Sequence, residues 1–461
     1  MTVRWGRPSR FALVGALAIV VACGDAEPKG ATLEPANAAS AASSGEAPGA
    51  TASLASASAA ASASTSVSGV DAVSAASQYA GGTPVLGAGS IDGEALRKRH
   101  EARLAAEPPT VVALKGDDAA ALGEAICEAV VPKRAPETPV LIKPNMGGLD
   151  ALKDPAKSGG DDGVKGRTTD PEFVRGVIRC LKKRGHTKIL VADGWGAPKE
   201  WWPKLLATSG YGAMAESEGV KIACLCDDGV FDVEGDQPGK PVKVTGMDKT
   251  RLPTLLLPKA VAEHLDHGLF IDVAKMKTHR YAVVSLGIKN LQGIVMLSSG
   301  TPAHKQKWRM HEELNAYLKD KADGHEDRAA YVKSLESFSE RITDVLLVAT
   351  PDVVLLEGAP AMQGDGFQDL RPVADRIAIG GTNPVRVDQV GARFLGAWKN
   401  PKIAAGLMGI DSSPLILRAG KRLGVDFEAT KLEGDGAALV DAPRPFDFKA
   451  IAPFEVHTKP K

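Results

Sequence analysis

Five polar residues crowd the stretch LFIDVAKMKTHRYAVVSLGIKNLQGIVM, residues 269–296: Lys275, Lys277, His279, Lys289 and Asn290. An unpaired ammonium in an apolar setting is costly, so cations this close to apolar runs face either water or an anion. The chemistry open to such a set is recognition of a carboxylate or phosphate by the lysines, with His279 moving a proton. A lysine of depressed pKa could also serve as a base or as a Schiff-base nucleophile. Gly287 and Gly293 flank the second half, where backbone can approach a neighbour closely. The plain alternative is a solvated loop whose lysines meet only water.

The elements that must position these residues alternate between strand and helix. The apolar run of Leu269, Phe270, Ile271 and Val273 reads as a buried strand leading into the lysines. PVLIKPN (139–145) reads as another, ended by Pro144, so Lys143 and Asn145 leave a carboxyl end, where open α/β sheets hold ligands. KILVADG (188–194) releases Asp193 and Gly194 in the same way. Gly194-x-Gly196 lacks the third glycine of a dinucleotide loop, and Pro198 follows. Trp195, Trp201 and Trp202 either line a pocket or pack. Asp170-Pro171-Glu172 opens a helix that Gly185 stops. Asp161 and Asp162 lie in a Gly/Asp-rich loop without calcium-loop spacing. PDVVLLEG (351–358) is a strand ending at Glu357, and in MQGDGF (362–367) Asp365 shapes a turn or binds a cation. Asp388 near the start of a late helix is either its cap or a carboxylate facing the lysines. His311 falls on an amphipathic helix, where packing is the ordinary role. His264 and His267 have no third ligand in view, so no metal is assigned. The expected fold class is α/β, a mostly parallel or mixed sheet with helices on both faces, preceded by a disordered tether.

The 461 residues are 44% hydrophobic and 24% charged, with a formal net charge of zero. That balance speaks against a general nucleic-acid or anionic-membrane surface. Arg4, Arg7 and Arg10 precede an apolar core, FALVGALAIVVA (11–22), too short for a spanning helix of about 20 residues. Val20-Val21-Ala22-Cys23 is similar to a bacterial lipobox, which makes 1–22 a signal peptide and Cys23 the lipidated residue. Gly24 rather than Asp after the cysteine resembles outer-membrane lipoproteins of Gram-negative bacteria. The Ala/Ser/Gly-rich stretch within 23–90 has almost nothing to bury and reads as a flexible tether. The folded part is expected over 91–461, with a helical insertion around 303–343. In an oxidising compartment Cys127, Cys180, Cys224 and Cys226 could pair, but Cys127 and Cys180 sit in helix-like apolar patterns and read as buried thiols; Cys224 and Cys226 are too close to bridge each other. No CxxC and no set of four cysteines marks an iron–sulfur or structural zinc site.

Four motifs in order resemble the bacterial and archaeal family known as domain of unknown function 362. They are LIKPNM (141–146), TTDPEFVRGVIRCLKKRGHTKILVADG (168–194), AKMKTH (274–279) with GIKNLQGIV (287–295), and VRVDQVGARFLG (385–396). Many relatives carry a ferredoxin-like cysteine cluster. This chain lacks those cysteines, so no iron–sulfur cluster is expected and the cofactor is unknown. The positions matching the signature are Lys143, Asn145, Lys277, His279, Lys289 and Asn290. Three functional classes stay open. The first is a lipid-anchored enzyme with His279, Lys277 and Lys289 as catalytic residues and Lys143, Asn145, Asp193 and Asn290 binding an anionic small molecule. The second is a receptor for an anionic solute without turnover. The third is an interaction lipoprotein whose lysines only salt-bridge internally.

Overall fold

A computed structural model describes residues 84–147, 164–194, 202–225, 238–279, 281–295, 310–314, 316–317, 327–366 and 369–444. The leader, Cys23 and residues 24–83 of the expected tether lie outside the described residues, as do Asp161, Asp162, Trp195, Trp201 and Cys226, whereas residues 84–90, expected in the tether, enter two short strands, Leu86–Gly87 and Ser90–Asp92.

The chain begins with β1 (Leu86–Gly87), β2 (Ser90–Asp92), α1 (Gly93–Ala106), β3 (Thr110–Lys115), α2 (Ala119–Val130) and β4 (Val140–Pro144). Next come α3 (Pro171–Lys183), β5 (Ile189–Asp193), α4 (Trp202–Ser209), α5 (Tyr211–Glu218) and β6 (Lys221–Cys224). The antiparallel pair β7 (Pro241–Thr245) and β8 (Leu255–Pro258) precedes α6 (Lys259–His267) and the long strand β9 (Leu269–His279). After β10 (Val283–Ser285), the short helix α7 (Gly287–Asn290) runs into a 3-10 turn, Leu291–Ile294. The chain closes with α8 (Arg328–Val348), β11 (Val353–Gly364), β12 (Leu370–Pro372), β13 (Ile377–Gly381), α9 (Pro384–Phe394), α10 (Pro401–Gly406), α11 (Pro414–Leu423), β14 (Lys431–Glu433) and α12 (Ala437–Val440).

The large sheet has the order β14-β3-β13-β11-β9-β4-β5-β6. From β11 to β6 every neighbouring pair is parallel, whereas β13 runs against both β11 and β3. The sheet is therefore mixed, with a parallel centre. Such strands are buried on both faces and read as continuous apolar runs, as VLI in β4 and ILVA in β5 do. On one face Val140, Ile142, Val191, Ile271 and Leu355 pack against Ile126 of α2 and Val177 and Leu181 of α3. On the other, Leu141, Phe270, Val354 and Leu356 pack against Leu335 and Ile342 of α8 and Val387 and Val390 of α9. Helices thus cover both faces. A second sheet, β1-β2-β7-β8, gathers the β-rich excursion before α6.

Two sequence readings change. Cys127 and Cys180 are not free thiols but form a disulfide, with Cα atoms 6.3 Å apart. The reason lies four residues upstream of each. A Cβ on Gly123 would come 2.1 Å from the Phe173 carbonyl oxygen, and one on Gly176 would come 1.9 Å from that of Ala120. The missing side chains let α2 and α3 approach closely. Residues four apart share a helix face, so the same faces carry the two sulfurs into contact. Asp388, for its part, does not cap its own helix: Asn383 caps α9, accepting from Val385 N and Arg386 N.

The disulfide closes 53 residues of chain. On the chain-entropy account a loop of that size stabilises by about 4 kcal/mol, and replacement of native bridges costs about 2–5 kcal/mol. Cys127→Ala with Cys180→Ala is expected to lower the unfolding free energy by that amount in urea titration, and dithiothreitol should do the same to the wild-type chain.

Candidate functional site

The carboxyl ends of β4, β5, β9 and β11 lie side by side, and the polar residues of the motifs collect there. Lys143 is fully buried, and its Nζ lies 2.8 Å from Asp193 Oδ1 and 3.2 Å from the Pro144 carbonyl. Asp193 Oδ1 also accepts from Gly194 N, and its Oδ2 accepts from Met146 N. The 3-10 turn after α7 covers this pair at close range. A Cβ on Gly293 would fall 2.2 Å from Asp193 Oδ1 and 3.0 Å from Lys143 Nζ, and a Cβ on Gly194 would fall 1.7 Å from the Gly293 carbonyl oxygen. Glycine is required at both positions by the approach of one backbone to the other.

A second buried pair stands beside the first. Lys275 Nζ donates to both oxygens of Glu357, at 2.9 and 2.7 Å, and to the Pro360 carbonyl at 2.9 Å. Glu357 also accepts from Ala359 N and Asp170 N. β11 runs on past its expected end at Gly358 to Gly364, and its pairing with β9 shifts register between Glu357 and Met362. That irregularity lets Glu357 serve Lys275 and leaves Met362 opposite Lys277. Thr169 ties in the preceding loop: its Oγ1 donates to the Val273 carbonyl and accepts from Asn145 N. Asn145 Oδ1 is buried and has no hydrogen-bond partner among the described residues.

Lys277 differs from the other two lysines. Its Nζ donates to the Arg167 carbonyl at 2.6 Å. Burial pushes its pKa down from 10.5 to about 7, helped by the neighbouring charges of Lys289, Lys275 and Arg167, with Asp365 opposing. Asp365 itself accepts from Asp369 N and shapes the turn after β11. Lys289 is half-buried, and its Nζ donates to Gln292 Oε1 at 3.3 Å. That contact orients the Gln292 amide so that Nε2 donates to His311 Nδ1, at 3.0 Å. Neutral His311 then carries its proton on Nε2. His279 has the same tautomer for another reason: its Nδ1 accepts from Tyr281 N and Ala282 N. Val283, the register partner of His279, has φ 70°, a conformation that a β-branched residue adopts only under constraint. The Tyr281 ring lies 5.6 Å from His279 and 6.4 Å from His311, which stacks on Phe338 at 4.6 Å.

Behind this rim lies a third layer. Asn290 Nδ2 donates to Asp272 Oδ1 at 2.7 Å. Burial raises Asp272 from 3.8 to about 7, with Lys143 and Asn290 opposing. Asp388 accepts from Gly287 N and Ile288 N, so it caps α7 from a neighbouring helix; burial holds its pKa well above the carboxylate range. The motif residues thus fall into three groups. Lys143 with Asp193, and Asn290 with Asp272, are engaged with each other. Lys277, Lys289 and His279 form the rim with His311. Asn145 stands beside Thr169. Asp272, Arg167 and Gln292 join the site beyond the residues expected there. Asp272 was visible as a charge inside an apolar strand, whereas Arg167 and Gln292 gave no signal. Among the described residues no group of three or more His, Cys, Asp or Glu is placed to hold a metal ion. A cavity of about 480 Å³ lies away from this site, lined in part by Arg103, Arg134, Asp266 and Asp352. Asp352 Oδ1 accepts from both arginines there, and the cavity sits at the amino edge, not the end where α/β sheets hold ligands.

The fold and the placement of its polar residues define an α/β protein with its site at the carboxyl edge of parallel strands. The family model described as Domain of unknown function (DUF362) matches residues 140–393, and the chain belongs to this family. No curated protein gives a significant match. A solved crystal structure of a protein from Thermotoga maritima aligns at 14% identity and a TM-score of 0.30. The match covers 59% of this chain and 58% of that one, so the chain spans less than two thirds of that protein's length; at that score the likeness bears on neither fold nor function.

The lowered pKa of Lys277 has a sign that can be measured. Between about 7 and 10.5 the unfolded chain holds a proton on this amine that the folded chain has lost. Stability therefore rises with pH across that window. Urea midpoints are expected to increase over it for the wild-type chain, and Lys277→Met is expected to remove much of the increase.

Proposed function

We propose that this is a lipid-anchored cell-envelope protein whose rim of Lys277, Lys289 and His279 recognises a phosphorylated or carboxylated small molecule and acts on it as an enzyme. One observation carries the reading. Glu357 is committed to Lys275, Asp193 to Lys143 and Asp388 to the α7 backbone, while the charges of Lys289, Lys275 and Arg167 bear on Lys277 with Asp365 opposing. Cations gathered in a buried place favour an anion. Both histidines present N–H at Nε2, which suits an acceptor-rich ligand. The buried, unpartnered Asn145 Oδ1 calls for a donor from the ligand, such as a hydroxyl. Lys143, Asp193 and Asn290 then contribute by holding the backbone under the ligand. A second reading, an anionic-solute receptor without turnover, is favoured by the same commitment of Glu357, Asp193 and Asp388, which takes those carboxylates out of acid/base service.

The anchor belongs to the same proposal. The lipobox ending at Cys23 and the Ala/Ser-rich segment behind it suit a lipoprotein tethered to the outer membrane of a Gram-negative bacterium. The Cys127–Cys180 disulfide supports this, because such bonds persist outside the reducing cytosol. Cys23→Ser is expected to move the protein from the membrane fraction to the soluble periplasmic fraction and to abolish palmitate labelling; a variant that stays lipid-labelled sinks the anchor.

The site is tested by thermal shift on the full chain with phosphorylated compounds, carboxylates and divalent metals. A ligand of the native state at a hundredfold excess over Kd stabilises by about 2.7 kcal/mol. An anion is expected to raise the Tm of the wild-type chain and not that of Lys277→Ala with Lys289→Ala. The shift should fade as pH rises through about 7, where Lys277 loses its charge. Equal melting of both proteins with every compound removes the anion site. Product formation from a shifting compound separates enzyme from receptor.

A further inference from the structure

Behind the rim, two buried carboxyl groups meet under α7. Asp272 lies in the middle of β9 and Asp388 on α9, at 0% and 2% exposure. They come together at Gly287, where a Cβ would fall 3.1 Å from Asp388 Oδ1 and 3.3 Å from Asp272 Oδ2. Asp388 takes one backbone N–H on each oxygen, from Gly287 and Ile288. Asp272 takes Asn290 Nδ2 on Oδ1, but its Oδ2 is buried and has no hydrogen-bond partner among the described residues. Lys143 is the register partner of Asp272 on β4, yet its ammonium turns to Asp193 Oδ1 and the Pro144 carbonyl. A buried carboxylate is stable only with donors or a cation on it, and two that face each other resist joint ionisation. The bare oxygen therefore calls for a positive partner. The space beside it is closed: the same Cβ would meet Val354 Cγ1 at 2.5 Å. Among the described residues no three His, Cys, Asp or Glu are placed to hold a metal ion either. A proton needs no such room, and it turns a bare acceptor into an O–H donor.

We infer that Asp272 and Asp388 share one proton in the folded protein, carried on Asp272 Oδ2, and that this proton is a pH-sensitive latch on α7. With the proton in place the helix is held at both ends. Asp388 accepts from its first two N–H groups, and Asp272 accepts from Asn290, its last residue. When the proton leaves to solvent, two buried negative charges face each other beneath a single helical turn, and its seat weakens. That turn also carries Lys289, so the latch ties the rim to pH. The groups that bear on the pair come from each neighbouring element. Lys143 of β4 and Asn290 of α7 favour an ionised Asp272, whereas burial and Asp193 of β5 favour the acid. On Asp388 the Gly287 and Ile288 N–H groups favour the charge, against burial and Asp272. The folded pair holds a proton that an unfolded aspartate has lost, so stability falls as pH rises from about 3.8 to about 7. This slope is opposite in sign to that of Lys277 at higher pH.

The test follows the proton by infrared and NMR spectroscopy of the full chain. At about pH 5.5 ordinary carboxyl groups are ionised, so a carboxylic-acid C=O stretch there reports a raised one. The wild-type chain is expected to show this band and to lose it as pH rises through about 7. The amide protons of Gly287 and Ile288, which donate to Asp388, are expected to shift with the same midpoint. Asp272→Asn puts an amide N–H where the O–H stood. It is expected to fold, to lack that band, and to lose the fall in urea midpoint between about 3.8 and 7. A wild-type spectrum with no band titrating near neutrality, or Gly287 and Ile288 amides that do not move with it, overturns the latch. A band unchanged in Asp272→Asn places the proton elsewhere and overturns it too. The first two measurements use the wild-type chain, so the outcome does not depend on the variant folding, and neither requires a ligand at the rim.

Discussion

The carboxyl edge of the sheet depends on the Lys143–Asp193 ion pair. Both groups are almost fully buried, at 0% and 1% exposure, in the middle of the parallel strands. Breaking such a pair by removing one partner costs about 3–5 kcal/mol, so everything around it must keep it satisfied. Met146 N and Gly194 N do so from the two strand ends. The turn containing Gly293 does so from above, close enough that a methyl group has no room. The spacing from Gly287 to Gly293 follows from this. The first glycine presents its N–H to Asp388 under the side chain of Val354, and the second lies on the ion pair. Between them α7 has room for one turn, and that turn carries Lys289 and Asn290.

Charge at this edge falls into a settled layer and an unsettled rim. Lys143 with Asp193 and Lys275 with Glu357 are closed circuits in which nearly every donor and acceptor has a counterpart. Such pairs contribute little net stability, and their value lies in fixing geometry. They hold the ends of β4, β5, β9 and β11 in register. The rim of Lys277, Lys289, His279 and His311 is built on that frame, and its polar groups are oriented one by one. Lys289 turns the Gln292 amide, the amide sets His311, and two backbone N–H groups set His279. The orientations follow from donors and acceptors alone.

The strands and helices that carry the site were legible because their signals are local. VLIKP and ILVAD are apolar runs with polar ends, and Asp170-Pro171 opens a helix on capping chemistry alone. Partnership was not legible, because it is set by register. Nothing in the chain says that Glu357 belongs to Lys275 rather than to Lys277, two residues further on. The irregularity of β11 near Pro360 decides that, and it shows only in the pairing. The disulfide was hidden similarly, since Gly123 and Gly176 govern how closely two separate helices pass. Asp388, read from the sequence as near the start of its own helix, caps a helix far away in sequence, because α9 and α7 pack together and the cap crosses between them.

The unsettled rim is the feature that a purely structural account explains least well. Hydrophobic replacement of a buried charge is often neutral or stabilising, so a fold under no other demand has little use for a buried amine among cations. Lys277 is not a helix-surface lysine that found cover by accident. It lies on the central strand of the sheet, at the edge where α/β folds place ligands, two residues before His279, whose register partner Val283 is held at positive φ. Strain and desolvated charge together in one place are the mark of a region selected for something other than stability. The settled pairs beneath bear on this as well. They engage Glu357 and Asp193, while the charges of Lys289, Lys275 and Arg167 bear on Lys277 with Asp365 opposing, a balance on which recognition of an anion would act.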